Sequence, residues 1–93
     1  MTKTISDFNY QKAIVMWEDI NGCDSAWNDE DDLISLKPAM CSTLGYIYEE
    51  NANYIKLFAT FSMNSDGTMD VGDAIVIPKG VVIKIDKLGN ECT

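Results

Sequence analysis

The apolar residues of this chain arrive in short β-branched and aromatic runs, each cut off by a cluster of Asn, Asp, Gly or Pro. Runs of that length and punctuation specify strands and leave little room for helix. Residues 12–17, Lys-Ala-Ile-Val-Met-Trp, form the first, with Ile14 and Met16 on one face and Val15 and Trp17 on the other. Apolar side chains of both parities imply a strand covered on both sides. Thr4 to Gln11 is expected as a helical or irregular lead-in that supplies part of the cover through Ile5, Phe8 and Tyr10. Leu44 to Glu49 and Asn53 to Met63 flank a turn at Glu50-Asn51-Ala52. In the second of these, Ile55, Leu57, Ala59 and Phe61 alternate with Lys56, Phe58, Thr60 and Ser62. Asn64-Ser-Asp-Gly67 is the next turn, its Asp-Gly pair being a strong hairpin marker. Ala74 to Ile77 and Val81 to Asp86 complete the set. Proline cannot donate to a central ladder, so Pro78-Lys79-Gly80 reads as a tight corner between them.

Between the first two runs the character changes. Asn21-Gly22 marks a turn, and Asp29, Glu30, Asp31 and Asp32 form an acid run flanked by Trp27 and Leu33. Acids placed before Leu33-Ile34-Ser35-Leu36 suit one short helix with a negative first turn, ended by Pro38. The pattern predicts a mainly β chain: a small five-stranded SH3-like or Sm-like barrel with a long acidic loop after the first strand. An open meander with a flanking helix is the alternative. One domain spans residues 1–93, with a lead-in over 1–11, the barrel over 12–88 and a tail over 89–93. Chains this short bury a modest core, and oligomerisation is a natural supplement.

Composition bears on function. The chain has no histidine and no arginine, and seven lysines stand against fifteen acids for a net charge of −8. Without the usual general base or the usual anion clamp, catalysis is not expected, and neither is a cofactor. Duplex DNA is a poor partner for so few, scattered cations. Cys23, Cys41, Ser42 and Thr43 lack a histidine to activate them. Cys23, Cys41 and Cys92 show no paired spacing and are odd in number. Asn64, Asp66 and Asp70 resemble a calcium loop only superficially, because the glycine stands fourth and position twelve is Ile75. No metal site is expected there, in the acid run, or among the cysteines. No basic and apolar leader follows Met1, and the apolar run from Ala13 to Trp17 is far short of a membrane span. The expectation is a reduced, cytoplasmic protein without a membrane partner.

The aromatics remain. Tyr46 and Tyr48 share one strand face, as do Tyr54 and Phe58 on the next, which in a paired hairpin gives a strip able to stack on a flat ligand or hold a protein. An exposed Trp27 beside the acid run would make a protein anchor.

Several segments together resemble a family of small, functionally uncharacterised bacteriophage proteins. They are Trp17-Glu-Asp19, Trp27, Ser42-Thr-Leu-Gly45, Tyr54-Ile-Lys-Leu57 and Ile77-Pro-Lys-Gly80, covering roughly residues 12–88. Cys41 departs by one position from the family's Cys-x-Ser spacing. The resemblance implies a phage-encoded, non-enzymatic binding protein with a counter-defence or host-takeover role in the host cytoplasm. It implies a homo-oligomer whose partner is a nucleotide-like ligand or a host protein. For the nucleotide, Tyr46, Tyr48 and Tyr54 would stack and Lys56, Lys79 and Lys84 would meet phosphate. For the protein, Trp27, Asp29, Glu30, Asp31 and Asp32 would carry the contact. An Sm-like RNA-binding ring and a minor structural virion protein are the alternatives.

Overall fold

The computed structural model describes residues 8–23 and 25–89. Five strands form one antiparallel sheet: β1 (Gln11–Asp19), β2 (Ala39–Glu50), β3 (Tyr54–Phe58), β6 (Ile75–Pro78) and β7 (Val82–Lys87), in the order β6-β3-β2-β1-β7. Two more, β4 (Thr60–Met63) and β5 (Met69–Gly72), pair only with each other. The expected β class and the five-stranded sheet are present. The expected closed barrel is not, because the outermost strands β6 and β7 are unpaired with one another and the sheet stays open.

Chain connectivity nevertheless forces a curl. Four strand spacings would hold β6 and β7 about 19 Å apart in a flat sheet. The connection from Pro78 to Val82 reaches at most about 14 Å even when fully extended. Here it is a tight 3-10 turn, Lys79–Val81, shorter still. The sheet must therefore bend, and it bends at irregularities. Register shifts lie between Ile47 and Glu49 of β2 and between Met16 and Trp17 of β1. Such bulges let one long strand serve two sheet directions. Gly45 sits beside the first of them: a Cβ there would lie 2.9 Å from the Phe58 carbonyl oxygen, so the close approach of β2 and β3 requires glycine.

The concave face holds the core. Val15, Ile55, Leu57 and Ile77 are buried together, with Trp17, Ile47, Ile75, Val82 and Ile85 packed around them. The Trp17 indole N–H donates to Thr43 Oγ1 at 3.0 Å, satisfying its one polar atom. The opposite face of β1 is less covered than its sequence implies, with Ile14 and Met16 half-buried. Phe8 and Tyr10 of the lead-in do supply outer cover, over Phe58, and are not helical; Ile5 lies outside the described residues.

Glu50 ties the open end of the curl together. One carboxylate oxygen lies 3.0 Å from Lys79 Nζ on the 3-10 turn, the other 3.6 Å from Lys87 Nζ on β7. The Lys79 hydrogen bond holds the Glu50 carboxyl below its ordinary value of 4.5, with both lysine charges adding to it. A depressed folded-state pKa means stability that is present above the unfolded value and lost as pH falls through the folded one. Glu50→Gln is expected to cost about 0.5–1 kcal/mol at neutral pH, the range for a partly exposed pair. That deficit should shrink toward zero as pH drops below 4.5, measured as urea midpoints of both proteins from pH 7 to pH 3. A deficit that stays constant with pH would rule the clasp out.

Sequence reading missed β5 and set the start of β2 five residues late, at Leu44 rather than Ala39. Met69-Asp-Val-Gly72 is too short and polar to read as a strand alone. Its partner explains it. Pairs Tyr54↔Pro78 to Leu57↔Ile75 and pairs Thr60↔Gly72 to Met63↔Met69 follow one register, so β3–β4 and β5–β6 are a single long ribbon interrupted at Ala59 and Asp73. Asp73 takes a left-handed conformation (φ 55°), which Asp tolerates better than most residues, and accepts a 2.6 Å hydrogen bond from Thr60 Oγ1. The interruption also breaks the expected alternation. Phe61 does not join Ile55 and Leu57 but stacks on Phe8 at 4.3 Å, on the side of Phe58.

Candidate functional site

Three of the tyrosine and lysine candidates converge on the outer face. Lys56 Nζ lies 5.9 Å from the Tyr48 ring centroid and 5.6 Å from that of Tyr54, within reach of a cation–π contact. Glu49 Oε1 sits 3.1 Å from the same Nζ and also accepts from the Tyr54 hydroxyl at 3.1 Å. The Lys56 hydrogen bond lowers the Glu49 pKa, and the Glu49 hydrogen bond raises that of Lys56. The four side chains are thus a neutral group, with the amine already engaged.

Tyr46 lies behind this strip in a ring cluster, 4.7 Å from Phe8 and 5.7 Å from Phe58. Lys79 belongs to the Glu50 clasp. Lys84 lies on β7, 3.5 Å from Asp86 Oδ1, with β1 between its strand and Tyr46 and Tyr48 on β2, and β1 and β2 between it and Tyr54 on β3. Of the three lysines assigned to phosphate, Lys56 meets the rings, while Lys79 and Lys84 are paired with Glu50 and Asp86.

A cleft of about 380 Å³ opens beside the strip, between the lead-in and the β4–β5 hairpin. Phe58 forms its buried floor, Tyr10 and Tyr48 one wall, and Met63, Met69 and Val71 the other. Tyr10 and Tyr48 stack on each other at 5.9 Å. The hairpin residues were not anticipated from sequence. Their trace was there: Phe61-x-Met63 before the Asp-Gly turn and Met69-x-Val71 after it mirror one another and put four apolar side chains on one ribbon face. The turn itself is self-contained. Asp66 accepts from Thr68 N at 2.9 Å and Thr68 Oγ1 at 2.6 Å, and Gly67 takes φ 89°. Among the described residues no group of three or more Cys, Asp and Glu is placed to hold a metal ion.

The loop after β1 is a second, separate surface. Asn21 Nδ2 donates to Lys37 O at 3.0 Å and closes its base. At its far side α1 (Glu30–Ser35) begins with a capping box: Asp32 N–H donates to Asp29 Oδ1 at 2.9 Å and Asp29 N–H to Asp32 Oδ2 at 3.4 Å. Glu30, Asp31 and Asp32 fill the first turn, where the helix dipole favours negative charge. The helix buries none of its residues. Trp27 is 92% exposed, Ile20 93%, Ile34 76% and Leu33 67%. Trp27 and Leu33 flank a depression of about 330 Å³ rimmed by Asp29 and Glu30. Among the described residues no ion pair reaches the four carboxylates of 29–32. Nor is any helix there long and apolar enough to cross a membrane. Comparison with protein-family models, with curated proteins and with solved structures found no match.

Proposed function

We propose that this chain is a non-catalytic, phage-type binding protein that engages a basic surface of a host protein through the loop carrying Trp27 and residues 29–32. One observation carries the reading: a capped helix and a Trp at 92% exposure are held on a closed loop base, and none of these residues is buried against the described part of the molecule. Connections this long are uncommon in small domains and are usually functional. Ordering them costs conformational entropy that the hydrogen bonds within the loop offset only in part. Large apolar side chains ringed by uncompensated carboxylates favour a partner that supplies both an apolar socket and lysine or arginine. A host-takeover or counter-defence role is the biological form of this reading, and blocking a host protein fits it better than sequestering a nucleotide, since Lys79 and Lys84 are already paired with Glu50 and Asp86.

The finer fold assignment belongs here as well. The sheet order, the bulged β2 shared by both halves of the sheet, and the 3-10 turn between the edge strands support an SH3-like or Sm-like half-barrel. Met40, Leu44 and Ile83, each more than half exposed outside it, support self-association.

Trp27→Ala is expected to leave the unfolding midpoint within about 0.5 kcal/mol of wild type. It should also weaken the captured host partner by roughly 2 kcal/mol, about thirty-fold in Kd. Capture from host extract should fade as salt rises from about 0.1 M to about 1 M, where the Debye length falls from roughly 10 Å to 3 Å. A partner retained equally by wild type and Trp27→Ala would sink the proposal.

A further inference from the structure

We propose that the cleft between the lead-in and the β4–β5 hairpin binds a planar, uncharged aromatic small molecule of the size of indole or a purine base. This does not rest on the Trp27 loop, and either reading survives failure of the other.

The first argument is the hairpin's own economy. A two-stranded ribbon is marginal unless its apolar face is covered. Of the four apolar side chains on this face, Phe61 alone is stacked, on Phe8. Met63, Met69 and Val71 instead face the cleft, and Val71 stays 47% exposed. A ligand there would complete a layer that the described residues leave open.

The second argument is size and surface. At about 380 Å³ the cleft falls in the range of small-molecule sites, roughly 300–1,000 Å³. Phe58, 2% exposed, gives a rigid floor, and Tyr10 and Tyr48 give a stacking wall. The thioethers of Met63 and Met69 are adaptable partners for an aromatic ring.

Charge fixes the class of ligand. Among the described residues the one cation lining the cleft is Lys56, and Glu49 holds it at 3.1 Å. A di- or triphosphate would have to displace that carboxylate and enter a chain of net charge −8. A cation would meet the lysine. An uncharged ring meets neither cost.

The test uses full-length protein labelled with ¹³C at the methionine methyls, titrated with indole. Met63 and Met69 should shift saturably, with the ring-current displacement of a stacked aromatic, while Met16 and Met40 on β1 and β2 hold still. Val71→Asp should raise the indole Kd by about tenfold or more, since the ring would then bury a carboxylate. Unmoved Met16 and Met40 lines would show that the variant is folded, and Met69→Gln serves as a second variant should it not be. ATP should produce no saturable shift. Absence of a Met63 and Met69 response up to the solubility of indole overturns the proposal, as does an equal response of Met16, Met40, Met63 and Met69. Tighter binding of ATP than of indole overturns the uncharged class. If dilution alone moves Met63 and Met69 and Trp27→Ala abolishes that effect, the occupant is a second copy's Trp27, and the small-molecule assignment falls.

Discussion

Phe58→Ala is expected to cost about 3–5 kcal/mol, the range for removing a buried aromatic ring. Domains are typically stable by only about 5–15 kcal/mol, and small ones lie toward the lower end, so the variant should be largely or wholly unfolded at 37 °C. The reason is position. Leu57 and Phe58 are adjacent in β3 and point to opposite faces, 1% and 2% exposed, and each anchors a different layer. Leu57 packs into the concave core. Phe58 is met on the outer side by Phe8, Tyr10, Tyr46, Tyr48 and Phe61, with centroids between 5.3 and 6.5 Å. Truncating it removes the surface against which lead-in and hairpin both rest. Phe58→Leu should cost clearly less, because it keeps much of the volume. Urea unfolding of the two variants decides the matter, and an alanine variant within 1 kcal/mol of wild type would mean that the outer layer contributes nothing.

Gly45→Ala should destabilise by about 1–3 kcal/mol, the usual penalty of overpacking. That corresponds to roughly 4–24 °C in Tm for a domain of this size. In most strands alanine would replace glycine with a small gain, since glycine is entropically costly there. Here the added methyl would meet backbone, 2.9 Å from the Phe58 oxygen and 3.4 Å from its carbon, and neither atom can swing away as a side-chain tip would. The strand pair must separate where β2 turns from β1 toward β3. Gly45→Val should be worse than alanine. A thermal melt of Gly45→Ala matching wild type would show that the crossing is looser than its geometry.

Much of the fold was legible because strands of this chain are short and punctuated. The alternation of Ile55 and Leu57, the corner at Pro78, the Asp-Gly turn and the negative first turn of α1 all follow from local chemistry. What escaped is non-local. Nothing in residues 58–62 says that pairing lapses at Ala59 and Asp73, so that Phe61 changes sides. Nothing in Met69-Asp-Val-Gly72 marks a strand until it is laid against Thr60–Met63. Closure was overestimated for the same reason: a tight corner between β6 and β7 fixes how far the edges can separate, but not whether their amides meet. Of the candidate site, the side chains were nameable and their grouping was not. Tyr48, Tyr54 and Lys56 come together because the β2 bulge follows Ile47, a backbone event without a residue signature.

The place of β1 between β2 and β7 has a consequence in time. Its Ala13 pairs with Gly45 on one side and with Lys87 on the other. During synthesis the β1–β2 ladder is available early, yet β1 keeps an open edge until residues 82–87 have left the ribosome. Pairing across such sequence separations makes folding slow, because loop closure precedes its reward. For that interval the nascent chain exposes Val15, Trp17 and an unpaired ladder together, the combination that invites association with another chain. Slow or stalled translation of the last strand would therefore leave a formed β1–β2 ladder standing with one edge open to another chain.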